Sequence, residues 1–366
     1  MPDYESLQLL WWLLISFMFI AFALTDGFDF GVGALLPFAA KTDTERRILI
    51  NAIAPHWDGN QVWFVLAAGS VFAAWPPVYG TAFSLMYLPM MIIVYALFFR
   101  PVGFDYRSKI EDPRWRSFWD WGIFAGSAIP SFLFGVAIGN LFLGVPFYFD
   151  DFMRPFVSGT LLGLLHPFAL LSGALSLSLL VLHGAVYAQL RTEGVVRKRL
   201  TSYAQLAAMI AMLSFIAAGI WLWLGINGYS MSNGNAVLRG EGRWLDVYSN
   251  WMMFAFPFIA LVGLVMASRN AGQSFGLAFA GSSLAITGVM STAAITLFPF
   301  LVPSSTAIND SITVFNGTSS QYTLTVMMWA AIIFMPMIIV YTLWCYRAMW
   351  GRMTEAHIEN NSHSLY

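Results

Sequence analysis

The stretch LLWWLLISFMFIAFAL, residues 9–24, contains no ionisable side chain. It belongs to a longer apolar block over about 8–38, which exceeds the roughly twenty residues that a helix needs to cross the hydrocarbon core. Similar blocks recur along the 366 residues, of which 58% are hydrophobic and only 10% charged. Because a soluble domain carries about 25% charged residues, the sequence predicts a polytopic membrane protein.

Nine stretches are long and apolar enough to span a bilayer. They lie at about 8–38, 55–75, 79–100, 118–143, 157–190, 202–227, 249–268, 275–300 and 321–346. We therefore expect an all-α integral membrane protein in which residues 1–366 form one membrane domain with nine transmembrane helices. Two four-helix bundles plus one additional helix are the expected arrangement.

The distribution of basic residues predicts the orientation. The loops that follow odd-numbered spans hold 15 of the 18 Lys and Arg residues. Since cytoplasmic loops are enriched in Lys and Arg, the N-terminus is expected outside and the C-terminus in the cytoplasm. The net charge of −1 and the scattered basic residues exclude a surface that reads nucleic acid. The single cysteine, Cys345, excludes an internal disulfide and a two-cysteine metal site.

Two carboxylates interrupt the first span, in the sequence Thr25-Asp26-Gly27-Phe28-Asp29. Charged groups at the centre of a membrane helix cost roughly 2.5–3.5 kcal/mol each, so their presence needs a reason. Their spacing of three residues places Asp26 and Asp29 on one face of the helix. They form either a proton or cation site or a structural patch held by a counter-charge such as Arg100.

The second span opens with the polar and aromatic sequence APHWDGNQVW, residues 54–63. His56, Asp58, Asn60 and Gln61 are predicted to form a hydrogen-bonded chain near the cytoplasmic end, with Asp58 passing protons inward. The alternative is an interfacial helix start, in which Asp58 lies in the first turn near the positive end of the helix dipole.

Two further histidines, His166 and His183, lie in the fifth predicted span. Their separation of 17 residues corresponds to about 26 Å along a helix, so they cannot share one haem. Hydrogen-bonded structural roles are expected for both. No nucleotide-binding, metalloprotease or hydrolase motif occurs at convincing spacing, and we expect neither a metal site nor a catalytic residue in this chain.

The motifs resemble subunit II of the bacterial cytochrome bd quinol oxidases. The resemblance covers essentially the whole chain. It rests on Trp11-Trp12-Leu13-Leu14, residues 25–33, Glu45-Arg46-Arg47, residues 54–63, residues 98–107, Phe298-Pro299-Phe300, Pro303-Ser304-Ser305 and Thr318-Ser319-Ser320-Gln321.

This resemblance implies a scaffold without haem that delivers cytoplasmic protons to a haem-bearing subunit I. The complex would oxidise quinol, reduce dioxygen to water and generate a proton gradient in the bacterial inner membrane. Haems b558, b595 and d are expected in the partner. The resemblance also makes Asp58 the start of a proton path and associates Trp63 with oxygen access. Further expected ligands and partners are a bound quinone, small single-span accessory subunits and membrane lipids.

A secondary transporter is the alternative from another class of protein. In that case Asp26, Asp29 and Asp58 would be ion-coupling carboxylates in helices interrupted by glycine. The second half of the chain shows no matching interruption.

Overall fold

The computed structural model of the protein describes residues 2–232, 236–360 and 365–366. Its described residues form twelve α-helices: α1 Tyr4–Ala39, α2 Asp43–Ile53, α3 Trp57–Ala74, α4 Pro76–Leu85, α5 Tyr87–Tyr106, α6 Pro113–Leu143, α7 Pro167–Arg191, α8 Gly194–Leu224, α9 Ala255–Asn270, α10 Phe275–Leu297, α11 Gln321–Ala348 and α12 Glu355–Asn360. Six short strands pair as three antiparallel hairpins: β1 Phe147–Phe149 with β2 Pro155–Val157, β3 Asn227–Met231 with β4 Val237–Glu241, and β5 Phe300–Val302 with β6 Ile312–Thr313.

Within the described ranges, eight helices are long and apolar enough to cross a membrane, and the bent pair α3–α4 makes a ninth if it is one span. The all-α membrane fold is therefore confirmed, with eight or nine spans. The first predicted span corresponds to a single helix of 36 residues, α1. At 1.5 Å per residue it is about 54 Å long, so it extends beyond a hydrocarbon core of about 30 Å.

The second and third predicted spans differ from the structure at their junction. Helices α3 and α4 meet at an angle of 114°, and a further break at Met86 precedes α5. The predicted third span, 79–100, therefore crosses a helix boundary. Trp75 leaves the helical conformation because it precedes Pro76, whose ring disfavours the α region for the residue before it.

The fifth predicted span begins too early. Residues expected in a helix from 157 onward form the end of β2 and a short 3-10 helix, Leu161–Leu165, and α7 begins only at Pro167. His166 is extended before this proline and caps the helix, since its Nδ1 accepts a hydrogen bond from the backbone N–H of Phe168 at 3.2 Å. His166 therefore lies at the end of the span and not within it.

Helix α1 is the centre of the packing, with α3, α6 and α7 against it. Its contact with α7 is close enough that a β-carbon on Gly31 would lie 2.0 Å from the carbonyl oxygen of Leu180. Gly184 of α7 faces the same point, and a β-carbon there would lie 2.4 Å from the backbone of Gly31. Two glycines thus bring these backbones together, as is common at membrane helix interfaces.

The two ends of the bundle differ in charge. The end formed by α2, the start of α3, the α5–α6, α7–α8 and α9–α10 turns and the end of α11 with the segment after it carries most of the arginines, and we name it the arginine-rich end. Helix α2, which the sequence did not predict, lies there behind a capping box of Thr42 and Glu45. Asp120 ties this end together by accepting hydrogen bonds from Arg46 at 2.7 Å and Arg107 at 2.6 Å. The three hairpins lie at the other end, which we name the hairpin end.

Candidate functional site

A buried ion pair links α1 to α5. The guanidinium of Arg100 donates to the carboxylate of Asp26, with Nη2–Oδ1 at 2.7 Å and Nη1–Oδ2 at 3.4 Å, and both residues are wholly buried. The ring of Phe30 lies 4.1 Å from the guanidinium carbon. The predicted counter-charge is thus in contact with one of the two predicted carboxylates.

The second carboxylate, Asp29, is also wholly buried but has different partners. Its Oδ2 accepts a hydrogen bond at 2.7 Å from the amide of Asn60, while its Oδ1 has no protein partner. The amide oxygen of Asn60 accepts in turn from the hydroxyl of Tyr346 at 2.7 Å. The Tyr346 ring stacks on His56, with centroids 4.3 Å apart. Helices α1, α3 and α11 are therefore joined by one buried polar chain.

Asp26 and Asp29 lie one helical turn apart on α1, and both are wholly buried. Two ionised carboxylates this close together repel each other, so the buried pair needs a counter-charge. Arg100 neutralises one charge, and Asp26 is the residue that it contacts. The arrangement is consequently an ion pair of Arg100 and Asp26 beside a second buried carboxyl group, that of Asp29, which Arg100 does not contact.

The polar residues at the start of α3 do not converge as the sequence predicted. His56 and Asn60 are buried and face α1 and α11. Asp58 points away from them and is exposed, and the space beside the neighbouring Gly59 is open. No hydrogen bond joins Asp58 or Gln61 to any described residue. The single chain of four residues is wrong because positions two apart on a helix lie on nearly opposite faces.

Asp58 instead belongs to a small group at the arginine-rich end. Asp105 of α5 and Asp58 both lie within electrostatic reach of the phenol of Tyr366. Burial first, and then the Asp105 carboxylate, raises the pKa of the Tyr366 phenol. The backbone carbonyl of Tyr366 accepts hydrogen bonds from Arg47 at 3.0 Å and Asn51 at 2.8 Å. Sequence reasoning did not find Asp105 or Tyr366.

Trp63 lies on the buried face of α3. It is 4% exposed and packs edge to face on Phe17 of α1, with ring centroids 6.1 Å apart. Its indole nitrogen has no protein partner. The structure therefore places Trp63 between helices and not on the outer surface of the chain.

Both ring nitrogens of the remaining membrane histidine, His183, have hydrogen-bonding partners. In His183, Nδ1 is 2.8 Å from the hydroxyl of Ser282 and Nε2 is 3.0 Å from the carbonyl oxygen of Leu24. Neither nitrogen is free to bind a metal in this arrangement. Across the part of the chain that the structure describes, no group of three His, Cys, Asp or Glu residues could hold a metal ion.

Comparison with known proteins identifies the family. The profile of the cytochrome bd terminal oxidase subunit II family matches residues 7–349. The chain belongs to this family. It is similar to subunit 2 of cytochrome bd-I ubiquinol oxidase from Escherichia coli K12, with 47% identity over 100% of both chains. A probable cytochrome oxidase subunit 2 from Haemophilus influenzae is 43% identical over 100% of both chains.

Solved structures agree on the fold. The bd oxidase from Geobacillus thermodenitrificans superposes with a TM-score of 0.71 over 95% of this chain and 100% of that one, at 14% sequence identity. The family resemblance inferred from the sequence motifs is confirmed.

Membership of the cytochrome bd subunit II family has direct consequences. The chain is part of a quinol:oxygen oxidoreductase complex, in which it works with subunit I. It is a multi-pass protein of the bacterial inner membrane, and the complex contains haem. Neither the comparisons nor the structure supports the alternative of an ion-coupled transporter.

Proposed function

We propose that this chain is the haem-free subunit II of a ubiquinol-oxidising cytochrome bd, and that it supports subunit I and delivers cytoplasmic protons to it. In such a complex, quinol oxidation and dioxygen reduction to water generate a proton gradient. The observation that carries the proposal is the exposed position of Asp58 at the arginine-rich end, beside Asp105 and Tyr366.

An exposed carboxylate at the edge of a membrane helix needs a polar neighbour. At the start of a span the cost is smaller than the roughly 2.5–3.5 kcal/mol of a helix centre, but the charge still has to be solvated. A partner subunit or water that covers Asp58 removes that cost. A proton donor for a neighbouring chain has to lie on the surface that the neighbour covers, and Asp58 meets this requirement whereas the closed pair of Asp26 and Asp29 does not.

The two buried carboxylates support a structural role. Asp26 and Arg100 join α1 to α5, and Asp29 joins α1 to α3 through Asn60. Both groups are closed to solvent within the chain. In this proposal they lock the helices that carry Asp58, and His56, Asn60 and Gln61 position the start of α3.

The orientation follows from the positive-inside rule. The arginine-rich end faces the cytoplasm and the hairpin end faces outward, which puts the N-terminus outside and the C-terminus inside. Residues 1–366 act as one membrane domain, and its helices are assigned to two four-helix bundles plus one more.

The haems b558, b595 and d are assigned to subunit I. Both ring nitrogens of His183 are occupied, and His166 caps α7, which supports this assignment. Trp63 is proposed to border an oxygen route, with its unpaired indole N–H between helices. A bound quinone and small single-span accessory subunits complete the proposed complex.

The substitution Asp58→Asn in the complete oxidase tests the proton path. It keeps the size of the side chain and removes the titratable group. Dioxygen reduction by the purified complex should fall by about tenfold or more, because proton transfer by a positioned group contributes at least this much. The visible haem spectrum should not change.

Asp151→Asn is the matched control, since Asp151 is an exposed carboxylate at the hairpin end. It should leave dioxygen reduction unchanged. Wild-type turnover and membrane-potential generation in the Asp58→Asn oxidase would end the proton-path assignment. Loss of haem in that variant would point to an assembly role.

A further inference from the structure

Arg191, the last residue of α7, is a buried cation with an unused hydrogen-bonding edge. The residue is 0% exposed. Its Nη1 donates to the carbonyl oxygen of Met349 at 3.2 Å, but Nε and Nη2 have no protein partner. The indole of Trp350 lies 5.2 Å from the guanidinium carbon. One side of the guanidinium is thus held in place, and the opposite edge, formed by Nε and Nη2, donates to no described atom.

The two other wholly buried arginines show what such a group normally contacts. Arg107 uses Nε and Nη2 to hold both oxygens of Asp120, at 2.6 and 3.4 Å. Arg100 is paired with Asp26. No described carboxylate makes an ion pair with Arg191. The edge that binds a carboxylate in Arg107 is therefore the edge that Arg191 leaves unfilled.

The positive charge of Arg191 is stabilised only weakly by its neighbours in the chain. A cation at a helix C-terminus is stabilised only weakly by the helix dipole, and an aromatic face adds a similarly small contribution. Removing a guanidinium from water costs several kcal/mol when no anion accompanies it. An anion bound at the Nε–Nη2 edge would offset the remaining cost of burying the charge.

The surroundings are also cationic. Arg197 donates to the carbonyl oxygen of Thr192, next to Arg191, and its own Nε has no partner. Arg352 lies within electrostatic reach of Arg197, and Arg352 pairs with Glu193. The corner where α7 and α11 end and α8 begins thus carries an excess of positive charge.

We propose that the Nε–Nη2 edge of Arg191 binds a phosphate group at the membrane boundary. Guanidinium edges bind phosphate oxygens in pairs, and basic pockets between helix ends bind anionic lipid headgroups. Trp350 lies over the guanidinium and is itself 53% exposed, and the proposal requires its side chain to rotate when the phosphate binds. The phosphate comes from a phospholipid or from inorganic phosphate. This site is independent of the proton-delivery proposal.

The test uses the complete oxidase, stripped of lipid in an uncharged detergent. The thermal unfolding midpoint is measured after each of three separate additions. These are phosphatidylglycerol, diacylglycerol with the same acyl chains, and sodium phosphate at constant ionic strength. Phosphatidylglycerol should raise the midpoint by about 1 °C or more, as for a ligand that binds the folded state only. Diacylglycerol should have no such effect. A rise with inorganic phosphate as well identifies the phosphate group alone as the ligand, whereas a rise with the lipid only identifies a phospholipid.

Arg191→Lys keeps the charge and loses the paired edge, and Arg191→Gln loses both. Each should abolish most of the rise in the midpoint. Lys198→Gln changes an exposed neighbour on α8 and should retain the rise.

If Arg191→Gln does not fold, Arg191→Lys still decides the result. An equal rise in all variants overturns the proposal. So does an Arg191→Gln oxidase that is more stable than wild type in every medium, since that is the result expected for an empty site. Loss of subunit I from both Arg191 variants, whatever lipid is present, would instead indicate a protein carboxylate and also overturns it.

Discussion

Arg100 directs both of its terminal nitrogens to Asp26 and neither to Asp29, although the two carboxylates lie one helical turn apart on α1. The two residues should therefore respond differently to replacement. Asp58, at the start of α3, is exposed and takes part in neither of these buried contacts.

Asp26→Asn should be much more harmful than Asp29→Asn. The first change leaves Arg100 buried without a counter-charge, which costs about 3–5 kcal/mol. The second leaves the pair of Arg100 and Asp26 intact and replaces the Asp29 carboxyl group, whose partner is Asn60, by an amide of similar shape, so it should cost about 1 kcal/mol, the value of one hydrogen bond. The yield and the thermal midpoint of the assembled oxidase measure both effects. Equal losses in the two variants would contradict the assignment of the charge to Asp26.

Tyr346→Phe should weaken the fold slightly without slowing dioxygen reduction. The hydroxyl donates one buried hydrogen bond to Asn60, worth about 0.5–1.5 kcal/mol, and the ring keeps its stacking on His56. The exposed Tyr341 of the same helix provides the control, Tyr341→Phe. Dioxygen consumption and thermal unfolding should be measured together. A large loss of turnover with intact haem would mean that protons pass through the buried chain of Asn60 and not past Asp58.

The sequence was sufficient for the parts of this site that depend on spacing within one helix. It placed Asp26 and Asp29 on one face, and Arg100 lies against that face. It did not reveal Tyr346, which reaches Asn60 from α11, because 286 residues separate the two and no local pattern encodes such a contact. For the same reason the contact of Tyr366 with Asp105 was missed.

Two features that the sequence-based predictions missed, helix α2 and the start of α7, are signalled by local sequence and could have been found. Thr42 and Glu45 form a capping box, which is a local signal for the start of α2. The His166–Pro167 pair signals a helix start, because proline fits the first helical turn and restricts the residue before it. In both places the hydropathy of the surrounding residues was given more weight than these capping signals.

Glu45→Gln should remove one acid-sensitive contribution to stability. Glu45 accepts hydrogen bonds from Arg199 at 2.7 and 2.9 Å, and this contact lowers the pKa of the Glu45 carboxyl below its usual value. A carboxyl group whose folded-state pKa is lowered stabilises the protein above its unfolded-state pKa, about 4.3, and loses that contribution as the pH falls through the folded-state value. The thermal midpoint of wild type should therefore fall below about pH 4.3 more steeply than that of Glu45→Gln.

The control for the Glu45 experiment is Glu193→Gln. Glu193 pairs with Arg352 at 2.8 Å, but both side chains are exposed, at 46% and 61%. Exposed pairs contribute about 0–1 kcal/mol, so this variant should follow the wild-type pH curve. Identical pH curves for wild type and Glu45→Gln would show that the contact with Arg199 does not contribute to the acid response.

Gly31→Ala should prevent assembly, whereas Gly69→Ala should be tolerated. A β-carbon at Gly31 would lie 2.0 Å from the carbonyl oxygen of Leu180 and 2.8 Å from Gly184, both of which are backbone atoms that cannot move independently. At Gly69 of α3 no atom lies within 4 Å, and alanine should stabilise a helix interior by about 0.5–1 kcal/mol. Since α1 also carries Asp26 and Asp29, separation of α1 from α7 should disturb their contacts. The amount of haem-containing complex recovered from membranes measures the effect. Normal recovery of Gly31→Ala would show that the close approach of α1 and α7 is not required.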